Sequence, residues 1–143
     1  MKLGFTGTRD ELTSHQRGFL REVFRDSHID EVHHGACVGA DHEFHLAALA
    51  HGKRIVVHPP VKKAMVAMDC LEPKQANVTS RPEAPYLHRD RNIVYETDAL
   101  LGMPKKTEEQ GGGSWYTIHY AVRLCRPVVI VYPDGRIERR TPQ

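Results

Sequence analysis

Four small residues in a row, Gly111-Gly112-Gly113-Ser114, separate the apolar run Ala99 to Met103 from a stripe formed by Ile118, Ala121, Val122 and Cys125. Glycines carry no Cβ, so their backbone N–H groups can approach phosphate oxygens closely. A helix that begins near Ser114 turns the positive end of its dipole toward the same anion. The hydroxyls of Ser114 and Thr117 add donors. The run lacks the Gly-Lys-Ser/Thr ending of a Walker A loop. A floppy polar linker has a similar composition, but the position directly between a strand and an amphipathic helix favours a phosphate cradle.

Three more groups of residues fit the same chemistry. Thr8 and Arg9 follow Gly7 with a hydroxyl and a guanidinium suited to a bidentate grip on phosphate or carboxylate. Gly35 and Gly39 permit a tight turn from strand to helix, and Asp41 caps that helix or accepts from a ribose hydroxyl. Arg89, Arg91 and Asn92 stand near the start of a helix, where cations call for an anion or for acidic neighbours such as Asp90 and Glu96. Cys37 lies where a helix dipole would lower its pKa, but no His-Asn arrangement accompanies it, so no catalytic residue is assigned. His42 and His45 are spaced three apart, unlike the four of HExxH, and neither a metal site nor a cofactor is expected.

These loops need a scaffold that brings them together. Strands are expected at Lys2 to Thr6, Glu31 to His34, Arg54 to His58, Ala99 to Met103 and Val128 to Tyr132. Helices are expected from Thr13 or Ser14 to Asp26, Asp41 to His51, Tyr86 to Thr97, and from Ser114 to the stop at Pro127. Alternating strands and helices on short connections predict one doubly wound, mainly parallel Rossmann-like α/β sheet flanked by helices, spanning residues 1–143. In such a sheet the ligand crevice lies at the carboxyl ends of the strands, where all of these loops fall. Residues 59–85, rich in proline and charge, are the candidate lid or variable loop, with a helical turn or two from Val61 to Cys70. Arg136 to Gln143 is read as a short edge strand or a charged tail.

Bulk composition narrows the classes. The 143 residues are 40% hydrophobic and 27% charged, and no apolar run approaches the ~20 residues that span a bilayer. No membrane partner is expected. The N-terminus lacks the pattern of a secretory signal, which predicts a cytoplasmic protein. Cys37, Cys70 and Cys125 contain no CxxC pair and are read as reduced. A net charge of +2 favours anionic small molecules over a dedicated DNA-binding role.

Taken together, Gly7-Thr8-Arg9, the stretch His34 to Asp41, Arg91-Asn92 and the glycine loop before Ser114 resemble the SLOG superfamily. That group of Rossmann-like domains includes DprA and the LOG phosphoribohydrolases, and the likeness is greatest to its small YspA-like proteins. The resemblance implies a nucleotide or nucleotide-derived ligand with its phosphate on the glycine loop, commonly in a homodimer. The hydrolytic branch resembles Pro-Gly-Gly-x-Gly-Thr-x-x-Glu. With Ser114 at the motif threonine, Thr117 stands in the glutamate's place, leaving Glu96, Glu108 or Glu109 as substitutes by geometry. Binding or sensing therefore ranks first and N-glycoside hydrolysis of a nucleoside monophosphate second. A DprA-like single-stranded DNA role ranks third, resting on Trp115, Tyr116 and Tyr120.

Overall fold

The computed structural model describes residues 1–62, 66–71 and 77–142. Among these residues, seven strands form one sheet: β1 (Lys2–Gly7), β2 (Glu31–His34), β3 (Arg54–Val57), β4 (Val78–Ser80), β5 (Ala99–Met103), β6 (Val128–Val131) and β7 (Ile137–Arg140). Their order is β4-β3-β2-β1-β5-β6-β7, parallel throughout except for the antiparallel β6–β7 pair. The helices are α1 (Ser14–Val23), α2 (Ala40–Ala50), α3 (Tyr86–Tyr95) and α4 (Gly113–Arg123). The chain builds outward from β1 through β4, then returns to β5 on the other side of β1. That reversal places the topological switch point between Gly7 and Met103.

Alternation along the strands decides which side chain meets which helix. Phe5, Val32, Val57, Leu101 and Val131 share a core with Leu20 and Phe24 of the first helical segment and Phe44 of α2. Leu100, Val128 and Ile130 face the opposite way, against Ile93 of α3 and Trp115, Ile118 and Ala121 of α4. Phe5 and Phe44 stack with ring centroids 4.2 Å apart. Thr13 caps α1 in a reciprocal box with Gln16. Gln16 is buried, and its Nε2 donates to the carbonyls of Pro104 and Val131, tying α1 beneath the ends of β5 and β6.

Three expectations needed revision. Within 59–85, Val78–Ser80 adds a parallel edge strand and Met68–Leu71 forms one 3₁₀ turn, while 63–65 and 72–76 of this segment lie outside the described residues. α1 stops at Val23 rather than Asp26. On α4, Ile118 and Ala121 are buried, but Val122 is 43% exposed and Cys125 lies exposed beyond the helix end. Trp115, seven residues earlier on the same face, is buried, so Val122 owes its exposure to its place in the last turn.

Cys125 sits at φ 58 and closes α4 as a glycine would. Its N–H donates to Val122 O and that of Arg126 to Ala121 O, the paired bonds of a Schellman ending. Cys125→Gly is expected to raise stability by about 1 kcal/mol in chemical denaturation, because glycine adopts this conformation without a Cβ clash. A neutral or destabilising result would show that the thiol compensates the strain.

Candidate functional site

A cleft of about 270 Å³ opens at the switch point. One wall follows β1 and carries Gly7, Thr8 and Arg9, and the other follows β5 with Lys105 and Lys106. Its floor is the loop Gly111, Gly112, Gly113 and Ser114. Gly112 is the N-cap of α4 at φ 108 and ψ −178, a conformation for which glycine is suited, and no side chain among the described residues caps this end. The first-turn N–H groups thus meet the cleft with their hydrogen-bonding capacity open. Thr107 O and Glu108 O accept from Gly111 N, and Trp115 Nε1 donates to Lys106 O, which anchors the basic loop to the helix. Lys105 reaches across the mouth to Asp10 at 2.9 Å.

Behind Gly7, Arg9, Gly113 and Ser114 lies a narrow inner recess, reached by Cys37, Asp41, Tyr86, Arg89 and Asp90. The Arg89 side chain is only 7% exposed, with Nη1 3.8 Å from Asp41 and Nε 3.1 Å from Asp90. Its Nη2 donates to Cys37 Sγ at 3.5 Å. Arg9 and Arg89 both stand over the Tyr86 ring, 4.5 and 5.2 Å from its centroid. Despite this company, Tyr86 Oη and Arg89 Nε are buried without a hydrogen-bond partner of good geometry among the described residues.

Burial sets the electrostatics here. It pushes Asp41 up to about 6, against the pull of Arg89 and of the Cys37 N–H that donates to it. Asp90 is raised by burial as well, opposed chiefly by the Arg89 guanidinium beside it. Burial and the nearby Asp41 raise the Cys37 thiol, the reverse of the helix-dipole expectation, so it is a poor nucleophile at neutral pH.

The structure brings most of the singled-out residues to this site. Gly7, Thr8, Arg9 and residues 111–114 line the cleft, while Asp41 and Arg89 line the recess. Gly35 makes room for Arg89, and Gly39 packs against the backbone of Arg9. Thr117 is fully buried and donates to Gly113 O, bracing the glycine loop from behind. Arg91 and Asn92 lie elsewhere: they border a separate groove with Tyr95 and Tyr120, and Arg91 Nε donates to Tyr116 Oη.

Tyr86 and Asp90 escaped the sequence reading as site residues. Their signal is the spacing Tyr86, Arg89, Asp90, Ile93, an i, i+3, i+4, i+7 face with polar members turned inward. The substitute carboxylates do not reach the cleft. Glu108 is held at about 2 by hydrogen bonds from Arg140 and His119, Glu96 pairs with Arg81, and Glu109 lines neither compartment. Trp115 is 1% exposed and so cannot stack on a base.

An open sheet with helices on both faces and its cleft at the switch point defines a Rossmann-like α/β domain. The structural-genomics target TM1055 shares this fold, with a TM-score of 0.64 at 18% identity over 89% of this chain and 71% of its own. So do DNA processing protein A (DprA) from Streptococcus pneumoniae, at TM-score 0.68 and 18% identity, and DprA from Helicobacter pylori, at 0.67 and 16%. The matches cover 90% and 91% of this chain but only 49% and 64% of the two DprA chains, and the Helicobacter structure is described as binding single-stranded DNA. No protein-family pattern and no curated protein matches the chain.

Proposed function

We propose that this is a SLOG-type domain, related to the small YspA-like proteins, that binds or senses a nucleotide or nucleotide-derived phosphate ligand in the switch-point cleft. The observation that carries the reading is the uncapped N-terminus of α4 beneath a glycine loop, flanked by Arg9, Lys105 and Lys106. Oriented N–H groups, the helix dipole and three nearby cations all favour phosphate. The inner recess, lined by Asp41, Tyr86, Arg89 and Asp90, offers polar side chains to the remainder of the ligand. The reading includes a cytoplasmic setting and a homodimer, and sedimentation of the protein tests the latter.

Thermal shift with nucleoside mono- and diphosphates and cyclic dinucleotides tests the cleft. A ligand at a hundredfold excess over its Kd should stabilise the fold by about 2.7 kcal/mol. The rise should vanish in Ser114→Ala/Lys106→Glu and persist in Arg91→Ala, whose side chain lies outside the cleft. Nucleoside monophosphates should emerge unhydrolysed. No shift from any phosphate ligand, together with salt-sensitive oligonucleotide binding weakened by Arg91→Ala and Tyr120→Ala, would overturn the reading in favour of single-stranded DNA.

A further inference from the structure

Away from the cleft, on the sheet face covered by α3, two neighbouring strands present histidines to one acidic residue. His33 of β2 and His58, the residue after β3, are 1% and 2% exposed. Glu96 caps the C-terminal end of α3 beside them. We propose that His33, His58 and Glu96 form a transition-metal site suited to zinc, linking β2, β3 and α3.

The hydrogen bonds around the three residues orient them as ligands. Glu31 Oε2 accepts from His33 Nε2 at 2.9 Å, which keeps the proton there and leaves His33 Nδ1 with a free lone pair. That lone pair faces His58 Nε2 at 2.8 Å. With the His58 proton on Nδ1, toward Glu96 Oε2 3.8 Å away, the His58 Nε2 lone pair meets that of His33 Nδ1 at 2.8 Å, so two electron-rich atoms oppose each other. A cation among these atoms removes the conflict. The other Glu96 oxygen is taken by Arg81, whose Nε and Nη2 donate at 2.9 and 2.6 Å, leaving Oε2 as a single-oxygen ligand.

One donor atom from each residue lies within 4.8 Å of the others. Two imidazoles and a carboxylate form a three-ligand zinc set with a fourth position open to solvent or another donor. Glu31 and Arg81 supply the outer contacts that fix ligand orientation. Lys2 and Arg54 lie beyond Glu31, 3.8 and 4.0 Å from it, and restrain its charge without entering the ligand set. To accept zinc, the two imidazole nitrogens need to separate by roughly half an ångström.

A second buried cluster, His34, His45 and Cys70, fits a metal less well. Ala36 N–H donates to His34 Nδ1, which places the His34 proton on Nε2 and commits it to His45 Nδ1. Burial pushes the Cys70 thiol up to about 12, far from the thiolate a metal needs.

The test does not depend on the cleft. Chelator-treated protein is equilibrated with zinc chloride, freed of excess by gel filtration and analysed for metal. About one zinc per chain is expected, with a raised melting temperature. Glu96→Gln, at a partly exposed helix end where the fold tolerates an amide, and His58→Gln should both abolish retention. Glu31→Gln should weaken affinity about 10–100-fold, and His45→Gln should leave it unchanged. The proposal is overturned by absence of stoichiometric zinc, by retention in Glu96→Gln, or by loss confined to His45→Gln, which would move the metal to the second cluster.

Discussion

Replacing Arg89 with methionine is expected to cost about 3–5 kcal/mol of stability at pH 8, the range for breaking a buried charge pair. Methionine fills much of the same space but leaves the buried Asp41 and Asp90 without the guanidinium between them. The loss should shrink as pH falls. Asp41 is raised from 3.8 to about 6 in the fold, so between those values the native state holds more protons than the unfolded chain, and acidification relieves the cost of burying this carboxyl.

Arg89 is the strongest influence opposing the upward shift in both Asp41 and Asp90. Without it both should titrate at still higher pH, and each protonation recovers stability at up to about 1.4 kcal/mol per pH unit. Urea denaturation of both proteins at pH 8 and pH 5.5 isolates the effect, because the other titrating groups are common to the pair. A deficit of equal size at the two pH values would show that packing, rather than charge, is what Arg89 supplies. Nucleotide-induced stabilisation should also be lost, since the guanidinium lines the inner recess.

Gly39→Ala should cost about 2–5 kcal/mol, combining backbone strain with a clash that side-chain rotation cannot relieve. Gly39 caps α2 at φ 87, and a Cβ there would stand 2.3 Å from Arg9 O and 2.7 Å from Asp10 O, both backbone atoms. The adjacent Ala40 N–H donates to Thr8 O at 2.9 Å, so the loops after β1 and β2 move together. Ligand affinity should fall at least about tenfold as Arg9 is displaced. Gly52→Ala is the control: it also has positive φ, at 67, but open space around the new methyl, and should cost only about 1 kcal/mol. Equal losses in the two variants would mean that the contact with the Arg9 backbone does not hold this loop in place.

Much of the scaffold was legible because its strands are buried apolar runs and its helix boundaries carry local chemistry. Thr13 with Gln16 marks the start of α1, and Gly52 closes α2 with the paired bonds expected of a C-terminal glycine. β4 was not legible: three residues, half-buried or exposed at a sheet edge, are too few for any periodicity and owe their strand to pairing with β3. The loops expected to converge do so because parallel strands deliver their carboxyl ends to one edge.

The composition of the site is another matter. Arg89-Asp90 and Arg91-Asn92 are adjacent polar pairs with similar claims in the primary structure, yet α3 turns the first into the recess and the second toward Tyr116 and Tyr120. Charged residues ordinarily stay in water, so the helical spacing that Arg89 shares with Tyr86 and Ile93 is the one local sign of its burial, and it is a weak one. Asp41, from a distant helix, makes that burial tolerable, as Glu31 and Arg81 organise His33, His58 and Glu96. Sequence alone determined the order of the central strands and their helices, β4 and β7 apart, and the edge at which their loops meet, because both follow from local periodicity and chain connectivity. Tertiary structure decided which polar side chains enter the interior, because desolvating them is tolerated only where partners from remote segments meet.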